Sequence, residues 1–166
     1  YFSARTQTLT QFKEVYDKRL LNETPQDGSP VIFCAMANQT PQNRYDIVKF
    51  LIGEGAELKG TNEESETLFH ILFSRPKHIM EQTVELTKIL IDAGVDINQL
   101  DAKQRAAIQY LISHPKFTDE DFAPLYDVIF QNCTLEVNAK NDWGYTPIEL
   151  ARKLQYRADL LKRMTE

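Results

Sequence analysis

The chain has 166 residues, of which 42% are hydrophobic and 26% are charged, a composition typical of one globular domain with a buried core. Its 19 Lys and Arg residues against 24 Asp and Glu residues give a net charge of −5, which disfavours binding to nucleic acid and to anionic membrane surfaces. No run approaches the roughly 18 apolar residues of a membrane-spanning helix, so no membrane insertion is predicted.

The N-terminal segment carries apolar residues at helical spacing, namely Leu9, Phe12, Tyr16 and Leu20. Thr8 and Gln11 are placed as a capping box, so we predict a helix over residues 8–22. Because its other side is charged, only one face can pack on a neighbour, which is typical of the end cap of a repeat stack. The alternative is an amphipathic helix that binds a separate partner or a membrane.

An internal repeat becomes visible when the chain is aligned with itself. Residues 46–58 match residues 85–97 position by position, and Gly94 follows Gly55 by 39 residues. A weaker third copy lies at residues 125–130. We interpret these segments as the outer helices of three repeats, with the two glycines as left-handed helix C-caps.

Four apolar segments are predicted to be inner helices, at residues 29–35, 67–73, 106–112 and 146–151. In the last of them Thr146 can cap the helix with its hydroxyl, and Pro147 falls at the first helical position, where no N–H is needed. Ala151 keeps one face of this helix thin for close packing. Because neither helix of a pair can bury its apolar side alone, each repeat is stable only against its neighbours.

Residues 141–151 resemble the ankyrin-repeat signature, a turn followed by Thr-Pro-Leu-His-x-Ala, with Ile148 in the Leu place and Glu149 in the His place. The resemblance implies an all-α fold, an ankyrin-like α-solenoid of stacked helix-turn-helix repeats joined by short extended turns. Residues 1–166 would then form a single domain, with an N-terminal capping helix at 1–23, repeats at 24–61, 62–100 and 101–140, and a fourth repeat or C-terminal cap at 141–166.

Two departures from the ankyrin pattern affect the geometry. Ankyrin repeats have about 33 residues, whereas the inner helices here start 38, 39 and 40 residues apart, at Pro30, Leu68, Ala107 and Pro147. The excess lies between the two helices of a pair, at residues 38–44, 75–82 and 114–121, where we expect it to lengthen the connection by extending the helices by a turn. The turn Gly is also replaced, by Ser65 in the second repeat and by Gln104 in the third.

The chain lacks the motifs of phosphate-binding loops, serine hydrolases, zinc proteases and redox cysteine pairs. We therefore predict no catalytic residue, no metal site and no cofactor. His70 occupies the His place of the repeat signature and is interpreted as a turn-stabilising residue. Thr118 and Asp121 are interpreted as the cap of the third outer helix, which we favour over a metal site at the acidic run 119–121.

His78 and His114 lie in connections that also contain basic residues. We predict a solvated edge whose cations offset the negative ends of helix dipoles, and the alternative is a site for an anion or an acidic partner.

Cys34 and Cys133 fall two repeats apart, about 16–20 Å at roughly 8–10 Å per layer, beyond the roughly 7 Å Cα limit of a disulfide. Both are therefore predicted to be free. Reduced cysteines fit an intracellular protein better than a secreted one, so a cytoplasmic location is favoured. Because the chain begins at Tyr1 rather than Met, we expect it to be processed or trimmed.

In ankyrin-like stacks the turn tips and the exposed side of the inner helices line a concave face that binds partners. The resemblance places nine residues there, namely Glu63, Glu64, Glu66, Ala102, Lys103, Arg105, Asp142, Trp143 and Tyr145. Trp143 and Tyr145 are aromatics of the kind that anchor interfaces. Alternatively, Trp143 folds over the last helix pair as part of the C-terminal cap. The glutamates of the second turn favour a partner with a basic patch opposite that repeat.

The function predicted on these grounds is that of a non-catalytic, monomeric module that binds a partner protein on the concave face. An alternative is a regulatory or targeting domain trimmed from a larger enzyme or complex. A third hypothesis, small-molecule binding or enzymatic activity, would need an enclosed pocket with convergent polar groups.

Overall fold

The computed structural model describes residues 1–26 and 28–166, so Asp27 of the first predicted repeat lies outside the described residues. The described part of the chain contains only helices and turns, and the fold is therefore all-α, as predicted. Residues 1–26 and 28–166 form ten α-helices: α1 Phe2–Thr6, α2 Leu9–Val15, α3 Val31–Met36, α4 Pro41–Gly53, α5 Leu68–Phe73, α6 Met80–Asp92, α7 Ile108–Ile112, α8 Asp119–Asn132, α9 Pro147–Arg152 and α10 Ala158–Thr165.

The helices form two layers, which contact each other where α1 packs on α2, α3 on α4, α5 on α6 and α9 on α10. The short helices α3, α5, α7 and α9 contact one another in chain order and form the inner layer. The longer helices α4, α6, α8 and α10 do the same in the outer layer. Because every residue of α3 and α5 is buried, the inner layer supplies the centre of a continuous apolar core.

The prediction of one helix over residues 8–22 is wrong. Helix α2 ends at Val15, and the chain becomes extended at Tyr16 before a short 3₁₀ turn at Lys18–Leu20. The Asp17 carboxylate accepts a hydrogen bond from the Arg19 N–H at 3.0 Å, and this starts the separate turn. The predicted cap is confirmed, since the Thr8 side chain and Gln11 form a capping box.

Helix α1 was not predicted, because its five residues are too few to give an apolar period and its Phe2 side chain is 75% exposed. It contacts α3, while α2 contacts α4. The N-terminal segment is therefore a complete helix pair that continues both layers, rather than one capping helix.

The extra residues of each repeat extend the outer helices, as predicted. Helices α4, α6 and α8 start at Pro41, Met80 and Asp119, inside the three connections that were predicted to be long. Two of the outer helices end at a left-handed glycine, Gly55 with φ of +97° and Gly94 with φ of +80°, as predicted. At the first of these ends the Ala56 N–H donates to Leu51 O at 3.0 Å, which satisfies a terminal carbonyl of α4.

A side chain that follows each inner helix donates a hydrogen bond to a carbonyl of the preceding helix pair. The four bonds are Asn38 Nδ2 to Ala4 O at 3.0 Å, Arg75 Nη1 to Ala37 O at 3.2 Å, His114 Nε2 to Arg75 O at 2.9 Å and Arg157 Nη2 to His114 O at 3.0 Å. The connections between inner and outer helices are thereby joined along the stack.

The predicted solvated edge at His78 and His114 is therefore wrong. His114 is 3% exposed, and the two imidazole rings lie 5.7 Å apart, packed against Phe117 and Phe122. Burial lowers the pKa of His78 to about 3 and also lowers the pKa of His114. Extension of the outer helices brings these connections against the core, which the basic residues around them did not reveal.

Cys34 and Cys133 are both free, as predicted. Thr118 and Asp121 cap α8 as predicted, and Thr146 caps α9 in the same way. Of the other two acids of the run, Glu120 is exposed, whereas Asp119 is buried and has a structural role of its own.

Candidate interaction surface

Three turns of the same construction precede the inner helices α5, α7 and α9. We call them the second, third and fourth turns, after the repeats that they open. Each begins with an Asn or Asp whose side-chain oxygen accepts two backbone N–H groups, from the second and the fourth residue after it. The acceptors are Asn62, Asp101 and Asn141, with distances between 2.9 and 3.1 Å. Such side-chain bonds hold a tight turn in a single conformation.

The fourth residue of each turn has a positive φ, 57° at Ser65, 58° at Gln104 and 84° at Gly144. Left-handed backbone is free of strain only for Gly, so the turns that contain Ser65 and Gln104 carry a strain of about 1–2 kcal/mol each. The Asn62 and Asp101 side chains hold these turns closed without the glycine. The turn conformation is therefore kept although Ser65 and Gln104 stand where the last turn has Gly144.

Backbone hydrogen bonds join the tips of successive turns. The Ala102 N–H donates to Glu64 O at 2.8 Å, and the Asp142 N–H donates to Lys103 O at 3.1 Å. The tips thus form one continuous surface, which we call the turn-tip strip. It contains all nine residues that the sequence placed on a binding face: Glu63, Glu64, Glu66, Ala102, Lys103, Arg105, Asp142, Trp143 and Tyr145.

Trp143 is the largest exposed side chain of the strip, with 58% of its surface accessible. The Lys103 Nζ lies 5.9 Å from its ring centroid and the Arg105 Cζ lies 5.8 Å from it. The indole therefore lies beside the preceding turn and is not buried as a cap over the last helix pair. Tyr145 lies on the same turn as Trp143, and the Nζ of Lys153, at the end of α9, lies 3.5 Å from its ring centroid. Contacts of this kind contribute about 0.5–1 kcal/mol each at exposed sites.

Arg105 is fixed from two sides. Its Nε donates to Asp101 Oδ2 at 2.8 Å, and its guanidinium carbon lies 4.9 Å from the ring centroid of Tyr110. Burial raises the pKa of Asp101, but hydrogen bonds from Arg105 and Lys103 outweigh burial and hold that pKa below its ordinary value. Asp101 is thus an anion at neutral pH, paired with the Arg105 cation through Nε.

A groove of about 330 Å³ lies between the third and fourth turns. It is lined by Arg105, Gln109, Tyr110, Ser113, Asn141, Trp143, Tyr145 and Leu150. The sequence identified three of these residues. It missed Gln109, Tyr110 and Asn141, although an Asn or Asp six residues before each of the last three predicted inner-helix starts was a signal that could have found Asn141.

His70 stabilises a turn, as predicted. The Thr67 N–H donates to His70 Nδ1 at 3.0 Å, which makes Nε2 the protonated nitrogen, and Nε2 donates to Arg105 O at 2.8 Å. Burial lowers the pKa of this imidazole. His70 thus joins the second inner helix to the third turn, and both of its ring nitrogens are hydrogen-bonded.

Residues 1–26 and 28–166 contain no group of three or more His, Cys, Asp or Glu side chains placed to hold a metal ion. In the same part of the chain, every helix is too short or too polar to cross a lipid bilayer.

No model of a protein family matches the chain, and no curated protein matches it. Among solved structures it is similar to the crystal structure of a functionally unknown protein from Leptotrichia buccalis C-1013-b, with a TM-score of 0.84 and 27% sequence identity. The match covers 98% of this chain and 88% of that chain. The helical architecture is thus shared over nearly the whole length.

Proposed function

We propose that this protein is a non-catalytic protein-interaction module, an ankyrin-like solenoid that binds a partner protein on its turn-tip strip. The ankyrin-like assignment is supported by the 39-residue repeat, by the three equivalent turns, and by Gly55 and Gly94 at the ends of two outer helices. Stacked repeats of this kind offer an extended surface whose residues can vary without loss of the core.

The observation that carries the proposal is the exposure of Trp143 on a rigid turn. A tryptophan with 58% of its surface accessible removes a large apolar area from water when it is covered. Its backbone is already held by the Asn141 side chain and its ring lies against two cations, so little conformational entropy is lost on binding. Tyr145 beside it is 39% exposed and extends the same apolar area.

The test compares capture of partner proteins from a lysate of the source organism by three immobilised proteins. These are the wild type, a Trp143→Ala, Tyr145→Ala double variant, and a Phe2→Ala, Tyr156→Ala control that removes two exposed aromatics elsewhere. Circular dichroism establishes that all three are equally folded. The captured protein is then purified and its affinity for each variant is measured by calorimetry.

We expect the wild type and the control to bind the same protein, and the strip variant to bind it at least about 100-fold more weakly, as for the loss of an interface hot spot. Equal binding by the strip variant would refute the strip as the binding surface. If the wild type captures nothing, the interaction role itself is contradicted.

A further inference from the structure

Gln109 occupies a position that its counterparts in the neighbouring inner helices use for capping. The equivalent His70 accepts from the Thr67 N–H, and the equivalent Glu149 accepts from the Thr146 N–H at 2.9 Å. In the third repeat Ala106 stands in place of the threonine, and Gln109 makes no capping-box bond. Its Oε1 instead accepts from Asn141 Nδ2 at 3.2 Å.

Among the residues that the structure describes, the Gln109 Nε2 is buried and has no hydrogen-bond partner, and the residue is 4% exposed. An unpaired buried donor costs about 1–3 kcal/mol, and such groups in folded proteins call for a cause. Gln109 lines the groove between the third and fourth turns. An acceptor atom on a bound ligand would complete its hydrogen bonding.

Arg105 supplies a second set of donors in the same groove. Its Nε is bonded to Asp101, whereas Nη1 and Nη2 donate no hydrogen bond within the described residues. The two outer nitrogens of a guanidinium form a fork that matches the two oxygens of a carboxylate.

Cations and acids both lie around the groove. Lys103 lies beside Trp143 and Lys153 lies over Tyr145, so two cations besides Arg105 lie near the aromatic rings of the groove. Asp101 is already paired with Arg105, and the other nearby acids are Glu64 and Glu66 beside Arg105, Asp142 on the Trp143 turn and Glu149 beside Lys153. The surroundings are thus of mixed charge, and the donors still open to an acceptor in the groove are those of Arg105 and Gln109.

We propose that the groove binds an acidic segment of a partner protein, in which an Asp or Glu carboxylate is held by Arg105 and Gln109. An apolar side chain of the same segment packs between Trp143 and Tyr145. This assignment rests on the proposed interaction role of the strip and adds the chemistry of the bound segment. The glutamates of the second turn then face the part of the segment that carries basic residues.

The probe is a phage-displayed library of short random peptides, selected on the wild-type protein. Peptides that elute are synthesised with a fluorescent label, and their dissociation constants are measured by anisotropy. Each is compared with its own amide analogue, in which Asp is changed to Asn and Glu to Gln. We expect selected peptides to pair an acid with a neighbouring apolar residue, and the amide analogues to bind about tenfold more weakly or worse.

Two variants test the donors and one serves as the control. Gln109→Met keeps the side-chain volume but removes both the unpaired donor and the acceptor of Asn141 Nδ2, so we expect peptide binding to weaken about tenfold while the two effects on the melting temperature largely offset each other. Arg105→Lys keeps the charge but loses the fork, and we expect a similar loss. Tyr156→Ala, which removes an exposed aromatic outside the groove, leaves binding unchanged.

If peptides bind and are lost with Trp143→Ala, but tolerate their own amide analogues and both donor variants, the carboxylate assignment is overturned and the strip remains a binding surface. If Gln109→Met lowers the melting temperature without changing affinity, Gln109 is a structural residue and the assignment fails as well. Peptides that ignore Trp143→Ala, or a selection that yields none, would contradict the proposed function together with this inference.

Discussion

The Arg157 guanidinium and the Asp119 carboxylate form a buried ion pair, with Nη1 3.3 Å from Oδ1, that ties the last helix pair to the third repeat. Arg157 is fully buried and also donates to the carbonyls of Ile112, His114 and Phe117. The other carboxylate oxygen accepts from the Asp159 N–H at 2.9 Å, at the start of α10. One acid thus serves as an ion-pair partner and as a cap for the C-terminal helix.

Removal of the arginine leaves three carbonyls without this donor and the buried carboxylate without its cation, although Tyr126 OH and the N–H groups of Asp159 and Leu160 still donate to it. We expect Arg157→Met to lower the free energy of unfolding by about 3–5 kcal/mol, the usual loss when one partner of a buried pair is removed. Urea unfolding followed by circular dichroism measures the change. The matched control is Arg152→Met, an exposed arginine one turn earlier, for which we expect a change within about 0.5 kcal/mol. Equal effects of the two variants would contradict a structural role for the pair.

The buried histidines make stability depend on pH. The pKa of His78 is about 3 in the folded protein, against an ordinary value of 6.5 in the unfolded chain. The unfolded state therefore binds more protons between these values, so stability is complete above pH 6.5 and is lost as the pH falls toward 3. The expected loss from His78 alone between pH 7 and pH 5 is about 2 kcal/mol.

Urea unfolding at both pH values measures this loss, and His78→Gln provides the comparison because it keeps a polar side chain but does not titrate. We expect the variant to lose less stability on acidification than the wild type. It keeps the smaller contributions of His70 and His114, whose pKa values burial also lowers. An identical loss in both proteins would show that His78 is protonated in the folded state.

The sequence predicted those features of the fold that depend on local chemistry or on repetition. The caps at Thr8, Thr118 and Thr146 are visible because a short-range hydrogen bond requires particular residues at a fixed spacing. The C-caps Gly55 and Gly94 are visible for the same reason. The break after Val15 was missed because the apolar period continues through it.

The site was predicted only in part, since burial and long-range partners leave little trace in one sequence. The nine strip residues follow from repeat position. The Arg157–Asp119 pair joins residues 38 positions apart, and nothing near either residue indicates it. His114 was placed at a solvated edge because its basic neighbours are visible in the sequence and the aromatic rings packed against it are not. Gln109 reads as an ordinary helix residue until its amide is found without a partner.

The strained turns offer a way to stabilise the protein. Ser65 and Gln104 adopt a left-handed backbone that Gly144 adopts in the last turn. We expect Ser65→Gly and Gln104→Gly each to raise stability by about 0.5–1 kcal/mol, because strain relief exceeds the added entropy of the unfolded chain. At this chain length the melting temperature should rise by about 2–4 °C for a gain of 1 kcal/mol.

Gly144→Ala serves as the reverse test. A Cβ at this position would meet no atom within 4 Å, so any loss of stability comes from the backbone conformation alone. We expect a loss of about 1 kcal/mol in differential scanning calorimetry. If Gly144→Ala has no effect while Ser65→Gly destabilises, the assignment of backbone strain to Ser65 and Gln104 is contradicted.

Trp143 is the one tryptophan of the chain, so its fluorescence reports on the turn-tip strip without labelling. With 58% of its surface exposed, the indole should emit like a solvated tryptophan and be quenched efficiently by added iodide, which Lys103 and Arg105 beside the ring attract. We expect a bound acidic peptide to shift the emission to shorter wavelength and to protect the ring from iodide. Acrylamide, an uncharged quencher, separates the two causes, because steric cover lowers quenching by both reagents whereas loss of positive charge lowers quenching by iodide alone. A saturating peptide that leaves acrylamide quenching unchanged would contradict packing against Trp143.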